Sequence, residues 1–349
     1  MSPRPARIGA NVKAALLDEL GCPLRIGDFP RPVPLADEVL VRVEACGVCH
    51  SDLHMAQGDW PDVAARMQFP SILGHEVVGR VVELGAKAGG IKVGVRAGVG
   101  WLYSTCGHCE MCNTGAENVC NERQVTSLAA PGGFAEFIRM KASHAVAIPE
   151  PLSSAGAAPL FCAGLTVYHA LRNAEVRAGQ RVAIFGIGGL GHLAIQLACN
   201  AGAEVVAVDV SETKLELARK LGATRAVNAA AADAAKQIRA GEEPHVAFVT
   251  STSKASYDLA LRVLRRRGTL AVVGLPKEDV SFNADNFVVK EHRIVGSAVG
   301  TRAEMRELLA LAAAGKVRCE VETVPLEAIN DVLDRMRRGA IPARAVVTL

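Results

Sequence analysis

The sequence predicts an α/β protein of two domains, one β-rich and one a doubly wound parallel sheet with helices on both faces. Three observations lead there. At 349 residues, half of them hydrophobic, the chain exceeds what one core supports. Its first 160 or so residues are rich in Gly, Pro and short Val-rich runs. From Gln180 onward, strand, glycine turn and helix alternate, the pattern of a parallel sheet covered on both sides.

In the first part, EVLVRVEA (38–45) and VVGRVVELG (77–85) read as strands. In the second, RVAIFG, EVVAVD, HVAFVTST and TLAVVGLP read as strands, with GLGHLAIQLACNAG, SETKLELARKLGA and ASYDLALRVLRRRG as helices between them. RIVGSAVG reads as a further buried strand, and the Ala229 to Ala235 run as helix. After Thr301 a helix, AEMRELLALAAAG, and a strand-like tail, RAVVTL, return to the mixed texture of the beginning. The predicted division is therefore 1–163 with 301–349 as an outer domain, and 164–300 as a nucleotide-type domain inserted in it.

The formal charge of +3 is nearly balanced, which argues against nucleic acid or an anionic membrane as partner. The one dense basic run, Arg265 to Arg267, stands where a helix would end before Gly268, and cations are favoured there by the helix dipole. Residues 1–21 lack the apolar stretch of a secretory signal, and no uncharged apolar run reaches membrane-spanning length, so a soluble, cytoplasmic protein is expected. Ten cysteines in a reducing compartment point to metal or catalytic roles rather than disulfides.

Cys106, Cys109, Cys112 and Cys120 follow C-x2-C-x2-C-x7-C in a loop-like stretch. Four thiolates in one short lobe match a closed tetrahedral zinc site, which is structural because no position is left for substrate. Disulfides or an iron–sulfur cluster are the competing uses. A second donor group is scattered: Cys49 in ACGVCHSDLH, His75 in LGHE and Cys162 in PLFCAG. Two thiolates and an imidazole with a fourth position open are the ligands of a catalytic zinc. Singly each is weak, since a lone Cys is more often a small core residue and a lone His a hydrogen-bonded one. Their surroundings strengthen them. Asp52 is a candidate to receive the second N–H of His75, and Glu76 a supporting carboxylate or transient ligand. Ser51 and His54 read either as proton carriers or as a turn hydroxyl and a surface imidazole.

FGIGGLGH sets Gly186, Gly188 and Gly191 between an apolar strand and an apolar-periodic helix. In a dinucleotide-binding turn the first Gly permits the tight bend, the second admits the pyrophosphate and the third lets helix and strand pack. EVVAVD ends on Asp209, where an acid would hold the adenosine ribose 2′-OH and repel a 2′-phosphate, so NAD is expected over NADP. Lys214 reads either as a cofactor contact or as an exposed helix residue.

With these motifs in hand, the chain resembles the zinc-containing medium-chain alcohol dehydrogenases, most closely the tetrameric bacterial and yeast type. CGVCHSDLH, GDWP, LGHE, the four-cysteine lobe, GGFAE, FCAGLTVY, GIGGLGH, VGLP, GSAVGTR and PARAVV occur in that order from about Val12 to Leu349. The resemblance implies a GroES-like catalytic domain plus a Rossmann domain, two zincs per subunit, NAD and a homotetramer. It implies Cys49, His75 and Cys162 as catalytic ligands, and Ser51 and His54 as a proton relay. It places Thr166, Gly189, Leu190, Val273, Leu275 and Val299 near the cofactor, with His50 and Arg344 on the pyrophosphate. Trp60 and Trp101 match positions that narrow the alcohol pocket, or are interior aromatics that merely pack. Val95 stands where the pattern usually has Asp, Arg267 replaces a common Gly, and STSKAS follows FVT.

The expected chemistry is oxidation of small primary alcohols to aldehydes, and the reverse. A Lewis-acid zinc lowers the alcohol pKa so that an alkoxide forms, and hydride passes to nicotinamide. Polyol, aryl or secondary alcohols are the alternative substrates, and a non-catalytic NAD- or zinc-binding structural protein is the alternative class.

Overall fold

The computed structural model describes residues 11–349. The reading of residues 1–21 as free of a signal therefore lies partly outside the described residues. The chain divides into two compact units. One comprises the chain up to Cys162 with Val321–Ile341 and Ala345–Leu349, the other Ala163–Glu320 with Pro342–Arg344.

In the first unit the strand Glu38–Val48 organises a seven-stranded sheet. Its Val-rich sequence is buried almost throughout, Arg42 excepted, so both of its faces are covered. Glu76–Leu84 lies antiparallel along one edge. The other edge is shared end to end by Phe137–Lys141, opposite residues 38–42, and by the strand Arg344–Thr348, opposite residues 45–48. A smaller sheet orders Arg25–Pro30, Asn11–Leu17 and Ser71–Ile72. Leu16, Val41, Leu73, Val77, Phe134 and Met140 meet in the common core.

The second unit is built on six parallel strands. In spatial order they are Arg225–Asn228, Glu204–Asp209, Arg181–Phe185, Val246–Val249, Thr269–Val272 and Arg293–Gly296. In chain order this is 3-2-1-4-5-6, the doubly wound topology, with its switch point between Arg181–Phe185 and Val246–Val249. Phe185, Val206, Val249, Tyr257 and Leu270 form its core.

Four expectations are corrected. The helix Arg302–Ala313 belongs to the second unit, so the division falls after Glu320 rather than at 301. It packs on the helix Ala163–Asn173, buries Met305, Leu308 and Leu309, and sends Glu304 to His169 at 2.9 Å. Residues 342–344 likewise part from their neighbours and join that unit, with the Arg344 N–H donating to the Glu320 carbonyl at 3.2 Å. RIVGSAVG is not a buried strand: Arg293–Gly296 has a single neighbour at the sheet edge and is mostly exposed. The run from Ala229 is turn up to Asp233, and helix starts only at Ala234, because the Asn228 side chain accepts the Ala230 N–H at 2.9 Å and holds the backbone off the helical path.

The helix Lys254–Val263 stops before the arginine run, and Arg267 takes φ 57°, which accounts for glycine being common there. Among the described residues no helix is long and apolar enough to cross a membrane.

Candidate metal and cofactor sites

Cys49 forms the N-cap of the helix His50–Gln57, and Asp52 in its first turn folds back on it. The fully buried Asp52 carboxylate accepts the Cys49 N–H at 2.9 Å and the Gly74 N–H at 3.1 Å, and it meets His75 Nδ1 at 3.0 Å. One side chain thus fixes two distant segments that carry ligands. Gly74 is needed between them. Its φ is 97°, and a Cβ there would stand 2.8 Å from both the Cys46 sulfur and the Phe134 ring. Cys162 follows the tight turn Ala158–Phe161, and its sulfur lies 3.9 Å from that of Cys49.

Donor atoms of Cys49, His75, Glu76 and Cys162, all buried, lie within 4.8 Å of one another. Tetrahedral zinc with Zn–S near ~2.3 Å sets its ligand atoms about 3.8 Å apart, whereas a disulfide needs about 2.05 Å. The donor set fits the ion. With Nδ1 turned to Asp52, Nε2 is the nitrogen left for a metal. Burial works against charge on His75, but the Asp52 carboxylate and the Cys49 thiol outweigh it and raise its pKa, so the pocket favours a cation.

Aromatic rings flank this cluster. Trp101 stands edge-on to His75 with centroids 5.0 Å apart, Trp60 edge-on to Trp101 at 6.3 Å, and His54 5.1 Å from Trp60. His54 Nδ1 is 2.7 Å from the Asp59 carboxylate. Ser51 is half-buried in the first helical turn and His50 is exposed. Sequence reasoning missed Gly47, where a Cβ would collide with the Glu76 carboxylate, and the grip of Asp52 on the backbone at Cys49 and Gly74.

The four-cysteine lobe brings its thiols to the same spacing. Cys106 and Cys112 sulfurs are 3.9 Å apart, Cys109 and Cys120 3.8 Å, and Cys120 and Cys106 3.6 Å. None is in a disulfide. Backbone N–H groups of His108 and Cys109 lower the Cys106 thiol to about 6, which favours the thiolate a metal needs.

In the second unit the glycine turn joins the strand Arg181–Phe185 to the helix Gly191–Asn200. Gly186 takes φ 91° beside Ser251, and a Cβ on Gly191 would lie 2.0 Å from the Gly186 carbonyl, so both must be glycine. A Cβ on Gly188 would meet nothing within 4 Å, leaving room for a ligand. No side chain caps the helix at Leu190, so its first N–H groups suit an anion. Gly189 leaves space for Arg344, whose Cδ would otherwise be 2.8 Å from a Cβ. Asp209 closes its strand with one carboxylate oxygen 2.6 Å from the Ile187 N–H and the other 2.9 Å from the Ser211 N–H. The strand-end acid and the glycine turn are thereby one piece. Lys214 is half-buried on the next helix, Thr166 and Val273 are half-buried, and Leu275 is exposed. Val299 takes φ 48°, unusual for a β-branched residue.

Two zinc-type donor clusters on a β-rich unit and a glycine turn at the switch point of a doubly wound sheet define a zinc-dependent, dinucleotide-linked oxidoreductase. Residues 35–150 match the family described as alcohol dehydrogenase GroES-like domain, and residues 189–314 match zinc-binding dehydrogenase. An alcohol dehydrogenase of Geobacillus stearothermophilus is 46% identical over 337 residues, covering 96% of this chain and 99% of its own. The solved alcohol dehydrogenase of the archaeon Aeropyrum pernix superposes with TM-score 0.88 at 37% identity, covering 97% of this chain and 100% of its own. Acetophenone reductase from Geotrichum candidum, solved with NAD, gives TM-score 0.88 at 31% identity over 99% of each chain. The chain belongs to the zinc-dependent medium-chain alcohol dehydrogenase family: it is an enzyme that interconverts alcohols and carbonyl compounds with zinc and a nicotinamide cofactor.

Proposed function

We propose that this enzyme oxidises small primary alcohols to aldehydes, and reduces the aldehydes, using NAD and two zinc ions per subunit. The observation that carries the substrate class is the pair Trp60 and Trp101, ring against ring beside His75. Two bulky indoles at a ligand leave space for a short chain and little for a branched or aryl one. The two separate four-donor clusters support two zincs.

Cys49, His75 and Cys162 would hold the catalytic ion, which supplies Lewis-acid chemistry when bound, and NAD supplies the hydride acceptor. The chain's own residues do the rest. Asp52 holds the Nδ1 proton of His75 and so aims the Nε2 lone pair at the cluster. Glu76 keeps a carboxylate within reach of the same donors. Ser51 takes the proton lost by the alcohol and His54 carries it outward, with Asp59 keeping the His54 proton on Nδ1 and Nε2 ready to accept. Cys106, Cys109, Cys112 and Cys120 hold the structural ion.

Asp209 supports NAD over NADP, since its buried carboxylate repels a 2′-phosphate. His50 and Arg344 bind the pyrophosphate, and Thr166, Lys214, Val273, Leu275 and Val299 flank the cofactor. Exposed Val288, Val289 and Ile294, on the edge strand and the helix Ala284–Lys290 before it, support association into a homotetramer. The gathering of six of the ten cysteines into two metal-type clusters supports a reducing, cytoplasmic compartment.

Aryl and secondary alcohols are the second reading, favoured by the likeness to acetophenone reductase. An alcohol panel run with NAD and with NADP, beside a zinc count, tests these statements. Ethanol-class substrates should lead with NAD at two zincs per chain, and Asp209→Gly should admit NADP. Preference for aryl alcohols, preference for NADP in the unaltered enzyme, or one zinc per chain would each overturn the corresponding part.

A further inference from the structure

His192, which closes the FGIGGLGH turn, is completely buried on the helix Gly191–Asn200, and the chemistry above gives it no task. Its ring nevertheless sits between the two parts of the molecule that would grip a pyrophosphate. Nδ1 lies 2.9 Å from the Gly188 carbonyl, inside the glycine turn. Nε2 lies 3.4 Å from the Glu320 N–H and 3.5 Å from the Cys319 sulfur. The Glu320 carbonyl in turn accepts the Arg344 N–H at 3.2 Å. Gln196, one turn further along the helix, holds Arg318 by both amide atoms, at 2.9 and 3.0 Å. Residues 318–320 are thus docked on this helix, and Arg344 is hung from them.

Only one form of the imidazole satisfies both contacts. The Gly188 carbonyl requires a donor at Nδ1 and the Glu320 N–H requires an acceptor at Nε2, so the ring is neutral with its proton on Nδ1. A second proton would set N–H against N–H. Burial, and then the nearby Arg344 charge, lower the pKa to about 4 in spite of the Gly188 carbonyl, which agrees with that tautomer at neutral pH.

We propose that His192 is a positioning residue for the dinucleotide pyrophosphate: it joins the Gly188 turn to the 318–320 segment that supports Arg344, and so sets the distance between the two phosphate-binding elements. This rests on the dinucleotide reading of the glycine turn. It predicts that replacing His192 weakens phosphate binding and leaves the chemical step alone.

The test uses the zinc-loaded enzyme with His192→Phe, which keeps a flat ring without polar atoms, and His192→Asn, which keeps a donor near Gly188. Dissociation constants are measured for NAD and for ADP-ribose, an inhibition constant for adenosine, and kcat at saturating NAD. His192→Phe should weaken NAD and ADP-ribose by about tenfold, with adenosine and kcat within about twofold of the parent, and His192→Asn should recover about threefold of the loss. If the Phe variant does not fold, His192→Asn alone must weaken ADP-ribose by about threefold without touching adenosine. Unchanged ADP-ribose affinity, or a loss equal for adenosine and ADP-ribose, overturns the proposal. Failure of the unaltered enzyme to bind ADP-ribose at all is a different result, which removes the dinucleotide reading beneath it.

Discussion

Replacing Asp52 by Asn probes the organisation of the catalytic donor set more sharply than replacing a ligand. The carboxylate meets three donors at once, the Cys49 N–H at 2.9 Å, His75 Nδ1 at 3.0 Å and the Gly74 N–H at 3.1 Å, with no exposure to water. An amide of the same shape keeps one acceptor oxygen for His75 and Gly74, but its NH2 then faces the Cys49 N–H. One buried donor is left unmade, a loss of about 1–3 kcal/mol, and the negative charge behind His75 disappears. Loss of such a supporting carboxylate typically weakens a metal site about 10- to 100-fold. Zinc transfer to a chelating dye should show two phases in the parent enzyme, one for each donor cluster. In Asp52→Asn one phase should move by that factor while the phase from Cys106, Cys109, Cys112 and Cys120 stays put. Two unmoved phases would refute the reasoning, and two phases moved together would show general loosening instead.

The second and third glycines of the turn should separate binding from folding. Gly188→Ala meets no protein atom, so its melting temperature should stay near the parent's while NAD affinity drops about tenfold; Gly191→Ala drives a Cβ to 2.0 Å from the Gly186 carbonyl and should cost several kcal/mol in denaturant unfolding, or about 2 at the least. Glu304 supplies a pH dependence. Burial pushes its carboxyl pKa up, but the hydrogen bonds to His169 and Thr301 prevail and hold it below the ordinary value. Its charged form therefore stabilises the fold above the unfolded pKa, and that share is lost as pH falls through the lower folded one. Glu304→Gln should be less stable than the parent by about 1–2 kcal/mol at pH 7, and the gap should close on acidification; a gap constant down to the acid limit would contradict this.

What could be read from the sequence follows the range of the forces involved. The cysteine lobe is legible because four donors lie between residues 106 and 120 and need no distant partner. The glycine turn is legible because backbone geometry at Gly186 and crowding at Gly191 are local demands. By contrast, Arg293–Gly296 has the composition of a buried strand, and only the sheet order reveals that nothing covers its outer edge. The alanines from 229 favour helix, but one side chain, Asn228, holds the first of them in a turn. The helix Arg302–Ala313 could not be assigned to a unit from its own residues, since its apolar face suits either core and the contacts through Glu304 decide. His192 in an apolar helix carries no sequence signal apart from the structure around Gly188 and Glu320.

The strand Arg344–Thr348 pairs with Ala45–Val48 and so fills an interior place in a sheet whose other long strands are made some 250 residues earlier. A ribosome emits nearly the whole doubly wound unit before that strand exists. During synthesis the Cys46–Val48 stretch, next to Cys49, keeps an open hydrogen-bonding edge, while the second unit has nearly all of its residues in one continuous span and is free to fold first. The metal-binding unit, although it begins first, is completed last. Any truncation that removes residues 344–348 reopens the edge one residue from Cys49, so the price of losing five distant residues falls on the donor cluster.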